Sequence, residues 1–189
     1  MKPLTILLFA LLTISAYGQD KYSSAHFTRL TLLEGTDYVM AAIDNVEKMF
    51  AMSSKSLLFI NTRNGQSKQV DFPEDAFIKK IEQIRIDSLQ INRVIVVANT
   101  VNLDNSKNID WKDPGQIIML STDGQEKVQL TEDRFFVRTW IVNPQTGGLV
   151  VTGDYDSNNN GKYDRTDKPE VLLFDLKTLK LISKISAGK

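Results

Sequence analysis

Residues 150–174 read Val-Val-Thr-Gly-Asp-Tyr-Asp-Ser-Asn-Asn-Asn-Gly-Lys-Tyr-Asp-Arg-Thr-Asp-Lys-Pro-Glu-Val-Leu-Leu-Phe, two apolar runs with a polar loop between them. Moved back by 54 positions, the stretch falls on residues 96–120 without a gap. Val96-Val97 lies on Val150-Val151, Asp110 on Asp164, Asp113 on Asp167, and Ile118-Met119-Leu120 on Leu172-Leu173-Phe174. Runs this short are strand-length, not helix-length, so each copy predicts two strands joined by a loop.

The same signal extends outward. Lys48-Met-Phe-Ala-Met52, Leu57-Leu-Phe-Ile60, Trp140-Ile-Val142 and Leu149-Val-Val151 are apolar runs bounded by turn residues. Phe77–Ile84 reads as the entry to a strand, and Phe27–Leu33 as a separate N-terminal strand. Asn64-Gly65 and Asp123-Gly124 signal tight hairpins, whose two central positions favour positive φ. Glu74-Asp75-Ala76-Phe77-Ile78 follows the first turn much as Glu132-Asp133-Arg134-Phe135-Phe136 follows the second. Three units emerge, roughly 38–76, 77–134 and 135–185, each with about four strands. Repeats of about 40 to 55 residues built from four strands are the signature of propeller blades. The expected fold is therefore all-β, with antiparallel four-stranded propeller-like blade repeats. A β-sandwich is the alternative.

The tail from Gly161-Lys-Tyr-Asp164 through Glu170-Val-Leu-Leu-Phe-Asp-Leu-Lys-Thr-Leu-Lys-Leu181 resembles the blades of bacterial TolB-like and WD-repeat-like propellers. It departs from the WD-repeat pattern in lacking both the Gly-His and the Trp-Asp dipeptides. Propellers close with four to eight blades, so three units imply an open edge. A second chain could complete a ring as a homodimer, the Phe27–Leu33 strand could cover the edge, or the sheets could stack as a sandwich. A fragment of a larger propeller is a further reading.

Within the loop, oxygen-bearing side chains stand at positions 1, 3, 5, 9 and 12 of residues 156–167, with glycine at position 6. That is the spacing of a calcium loop, since a hard cation takes six to eight oxygens and a tight turn aims alternate side chains at one point. The expected ligands are Asp156, Asn158 and Asn160 by side chain and Lys162 by its carbonyl. Asp164, directly or through water, and Asp167 complete the set. Gly161 permits the sharp turn. The twelve residues resemble the loops of dockerin modules and other extracellular EF-hand-like repeats, which also end on Asp. Strands replace the helices that would flank a dockerin loop, so cohesin binding is not implied. A solvated Asn/Asp-rich turn is the plainer reading of the same residues. Three carboxylates and two amides imply dissociation constants on the order of 10⁻⁴ to 10⁻³ M. At ten times the dissociation constant, calcium would add about 1.4 kcal/mol to stability. The 54-residue shift offers a second set at Asn102, Asp104, Ser106, Asp110 and Asp113. There Lys107 replaces the glycine and Ser106 is a weak ligand, which predicts a vestigial site or a loop that holds its shape through hydrogen bonds alone.

The chain has 189 residues, equal numbers of acidic and basic residues, and no cysteine. No nucleic-acid face is implied, and disulfides, thiolate nucleophiles and thiolate metal sites are excluded. Residues 1–18 read as a signal peptide: Lys2, the apolar stretch Leu4–Ile14, then Ala16-Tyr17-Gly18 before a cut. Its apolar stretch would reach only about 16 Å as a helix, too short for a membrane span. The expected mature domain is 19–189, periplasmic or secreted, with Gln19 in place of a lipid-accepting cysteine.

The lone histidine, His26, reads as surface or strand packing, and Trp140 as core. Trp111 reads as a packed loop anchor, or as an exposed ring for stacking on a carbohydrate or protein partner. The leading functional expectation is an exported calcium-binding module for binding or scaffolding. The alternative is a calcium-dependent extracytoplasmic hydrolase on the same scaffold.

Overall fold

The computed structural model describes residues 25–45 and 54–186. The signal-like segment 1–18 and the expected strand at Lys48–Met52 lie outside the described residues.

The first sheet holds β1 (Ala25–Leu32), β2 (Tyr38–Asn45), β3 (Ser54–Asn61) and β4 (Ser67–Asp71). The second holds β5 (Phe77–Ile86), β6 (Ile91–Asn99), β7 (Gly115–Ser121) and β8 (Lys127–Gln129). The third holds β9 (Phe135–Asn143), β10 (Gly148–Tyr155), β11 (Lys168–Asp175) and β12 (Lys180–Ser186). Each is an antiparallel four-stranded meander in chain order. The all-β expectation of three four-stranded units is what the structure has. The first sheet, however, begins at Ala25: the strand expected to stand apart is β1, paired along its length with β2.

The three sheets stack in series without closing. Leu57 and Phe59 from the first sheet pack with Val94, Val96, Ile118 and Leu120 of the second. On the other face of the second sheet, Ile95, Val97, Ile117 and Met119 pack with Leu149, Val151, Leu172 and Phe174 of the third. Side chains alternate across a strand, so a sheet covered on both faces needs apolar residues at every position. That explains the unbroken runs Val94–Ala98 and Ile117–Leu120. Fully burying each such side chain is worth about 1.5–3 kcal/mol.

These faces correct the repeat. Val96 packs toward the preceding sheet, and in the third sheet it is Val151, not Val150, that does so. Ile118 and Leu172, by contrast, keep the 54-residue spacing and face the same way. Strands β6 and β10 are therefore related by 55 residues, and the connection before Asp156 is one residue shorter than its counterpart. A one-residue slip turns a strand over, so only a packed structure reveals it.

The turns differ from the tight type expected. Asn61 and Gln66 close the first hairpin, with the Asn61 amide 2.8 Å from the Gln66 carbonyl, which leaves four residues in the turn. Gly65 and Gly124 adopt positive φ, 72° and 73°, while Asn64 and Asp123 do not.

Candidate functional site

The loop 156–167 leaves β10 and returns as β11. Asp156 is 1% exposed and anchors it: its amide donates to the Arg134 carbonyl at 3.0 Å. One carboxylate oxygen accepts the Asn160 amide at 3.1 Å and the other the Gly161 amide at 3.0 Å. Asn158 Oδ1 accepts the Asn160 amide at 3.0 Å, and Asn160 Oδ1 the Lys162 amide at 2.7 Å. Such side-chain-to-backbone bonds are what Asn and Asp offer a turn. Together they coil the segment about its own oxygens.

Asp164 collects four donors: the Thr166 hydroxyl and amide at 2.6 and 2.7 Å, and the Asn160 and Asn158 side-chain amides at 2.6 and 2.9 Å. Thr166, hydroxyl before amide, and then the two asparagine amides hold this carboxyl well below the usual carboxylate range. Asp167 closes the loop, one oxygen accepting the Asp164 amide at 2.8 Å. Its other oxygen, Oδ1, is buried and has no hydrogen-bond partner.

Asp156, Asn158, Asn160, Asp164 and Asp167 thus lie on one coiled segment, linked by bonds among themselves. Lys162 follows Gly161 with its side chain exposed. Among the described residues no three histidine, cysteine or carboxylate side chains form a ready-made metal cluster. The donor set is nonetheless all hard oxygen, and the orphaned Asp167 Oδ1 is an acceptor that a cation would satisfy. The residues fit a hard divalent ion, provided the Asn158 and Asn160 amides release Asp164.

The loop 100–114 between β6 and β7 repeats the architecture. Asn105 and Asn159, 54 residues apart, both take left-handed φ, 57° and 59°. Asp113 uses both oxygens, accepting the Leu103 and Asp110 amides at 2.9 and 2.8 Å. Buried Asn99 donates to the Asp110 and Asp113 carbonyls at 2.6 and 2.9 Å. Lys107, at the glycine position, lacks the positive φ of Gly161. The loops also touch: a Cβ on Gly161 would lie 2.1 Å from the Leu103 carbonyl oxygen.

Between these loops and β9 opens a cavity of about 660 Å³, on whose rim Trp111 is 74% and Tyr163 55% exposed. Trp111 is therefore not the packed loop anchor, while Trp140, half-buried, packs against the core between the second and third sheets, with the Lys80 ammonium 4.6 Å from its ring centre. Arg138 on β9 bonds both Asp154 and the Tyr163 hydroxyl, and its guanidinium sits 4.9 Å from the Tyr163 ring. Lys79 reaches the cavity from β5. Lys79 is exposed as a residue, but lost hydration pulls its ammonium's pKa down, with Asp113 opposing. The sequence hinted at this cleft only through Trp111, an aromatic ring set in a polar loop.

No family model matches the chain. A stretch of 157 residues is 27% identical to RNA-directed RNA polymerase L of European mountain ash ringspot-associated virus (isolate Sorbus aucuparia), covering 80% of this chain and 7% of that protein. Among solved structures, the Pyrococcus horikoshii acylaminoacyl peptidase (orthorhombic crystal form) aligns at 10% identity and a TM-score of 0.43. That alignment covers 87% of this chain and 25% of that one. Likeness at that level carries no argument about fold or activity.

Proposed function

We propose that this protein is an exported calcium-binding module for binding or scaffolding, in which calcium stiffens the β10–β11 connection. The observation that carries the reading is the buried, unpartnered Asp167 Oδ1, at the end of a loop with the calcium spacing. Asp156, Asn158, Asn160, Asp164 and Asp167 would hold the ion by their side chains, with the Lys162 carbonyl. The ion supplies a charge that gathers the carboxylates of one loop. Export, to the periplasm or the medium, rests on residues 1–18 alone. Among the described residues no helix is long and apolar enough to cross a membrane.

The open edge supports a homodimer. Phe27, Leu30 and Leu32 on β1 are 64%, 70% and 66% exposed, an apolar set on a strand that, among the described residues, pairs on one side only. Two copies would bring six sheets together, within the range that closes a ring.

The test of the calcium reading is thermal melting in calcium and in chelator. The wild type should melt higher in calcium, and the Asp156→Ala, Asp167→Ala double variant should melt identically in both. Equal melting of the wild type in the two conditions would remove calcium from the account.

A further inference from the structure

We propose that the cleft between the second and third sheets binds a carboxylated sugar, a hexuronate unit of an acidic glycan. The inference rests on the reading of the chain as a binding module and not on the calcium loop being filled.

The cleft offers three kinds of contact together. Trp111 and Tyr163, one from each of the paired loops, leave broad ring faces in solvent at its mouth. The Tyr163 ring already has the Arg138 guanidinium and the edge of Phe136 against it, so Trp111 is the more open ring and suits the apolar face of a pyranose. Lys79, Lys112 and Lys162 line the same space, Lys79 within electrostatic reach of Asp113 and the other two within reach of Asp104. Lys112 also stands 5.7 Å from the Trp111 ring centre, so the ring face and a positive charge are offered side by side. Finally, Asp104 lines the cleft as a half-buried acceptor, whereas Asp113 has both oxygens on the Leu103 and Asp110 amides and Asp154 is paired with Arg138.

The mixed lining decides among anions. A phosphate could take the lysines but would leave the Trp111 ring face and the Asp104 acceptor unused. A uronate carries one negative charge and several hydroxyl donors. Its carboxylate can take the lysines, its hydroxyls can donate to Asp104, and its ring can lie on Trp111. A neutral sugar would leave the lysines unused, and a purely apolar ligand would offer nothing to the lysines or to Asp104. The cavity of about 660 Å³ admits one or two sugar rings.

The experiment is calorimetric titration of the full chain with trigalacturonate, with neutral galactotriose and inorganic phosphate as comparisons, each in calcium and in chelator. Trigalacturonate should bind at one site per chain, at least about tenfold tighter than galactotriose, and phosphate should fail to displace it. Trp111→Ala should weaken binding by about tenfold or more without moving the melting temperature, since the ring is exposed. Lys79→Met should bring the acidic and neutral sugars to within about threefold of each other. No binding of trigalacturonate, equal affinity for galactotriose, displacement by phosphate, or an unaffected Trp111→Ala variant would each overturn the proposal. Binding that persists in a protein taking up no calcium would sustain this site while refuting the calcium reading, so the two failures are distinct.

Discussion

Gly161 lies against Leu103: a β-carbon at position 161 would stand 2.1 Å from the Leu103 carbonyl oxygen, and Gly161 itself has φ of +71°. Two constraints, one from its own backbone and one from the neighbouring loop, fall on the same residue. Gly161→Ala should therefore cost more than left-handed strain alone, which is about 1–2 kcal/mol, and more than about 2 kcal/mol in total. Gly65 is the internal comparison, with φ of +72° and no atom within 4 Å of the added carbon. Gly65→Ala should cost only the strain. Urea denaturation of both variants checks this; equal losses would mean that the two loops do not press on each other.

Asn99 on β6 is fully buried and holds the 100–114 loop by two carbonyls, those of Asp110 and Asp113. Asn99→Leu keeps the branched shape, with somewhat larger methyl groups, but strands both acceptors. The expected loss is about 2–3 kcal/mol, read from chemical denaturation. A change below about 0.5 kcal/mol would contradict the role given to this side chain.

Asp164 should stay ionised well below the usual carboxylate range, because Thr166, hydroxyl first and then amide, and the amides of Asn158 and Asn160 all donate to it. Its folded value is depressed, so its contribution to stability is present above the unfolded value near about 4. It is lost as pH falls toward the folded value. Carbon-detected NMR titration of the side-chain carboxyl measures it directly. Thr166→Ala removes the leading donor and should move the titration back up toward that ordinary value. An unchanged titration in the variant would contradict the hydrogen-bond network.

The exposed β1 residues make association measurable. Sedimentation equilibrium should give twice the chain mass for the wild type, and the monomer mass for Phe27→Lys with Leu32→Lys. A wild-type monomer stable to dilution would mean that the open edge needs no second copy.

What was legible in the sequence follows from which residues carry local information. Val94–Ala98 and Ile117–Leu120 are apolar at every position because both faces of their sheet are buried, so strands were readable there. The Asp156–Asp167 spacing was equally local. The register between β6 and β10 was not: Val96-Val97 and Val150-Val151 look alike as letters, and only packing tells which valine faces the preceding sheet. The first sheet was misdivided because Phe27–Leu33 pairs with Tyr38–Asn45 across a short turn, and nothing in either run states its partner. Trp111 was misread because a loop tryptophan packs or projects according to what the neighbouring loop leaves room for. The cleft was illegible for a related reason, since Lys79, Trp111, Arg138 and Tyr163 come from four separate segments.

Calorimetric titration of the wild type and of the Asp156→Ala, Asp167→Ala variant with calcium tests the central claim most directly. The account predicts one calcium per chain in the wild type, with a dissociation constant on the order of 10⁻⁴ to 10⁻³ M, and none at that site in the variant. Equal stoichiometry in the two proteins, or no uptake by the wild type, would contradict it.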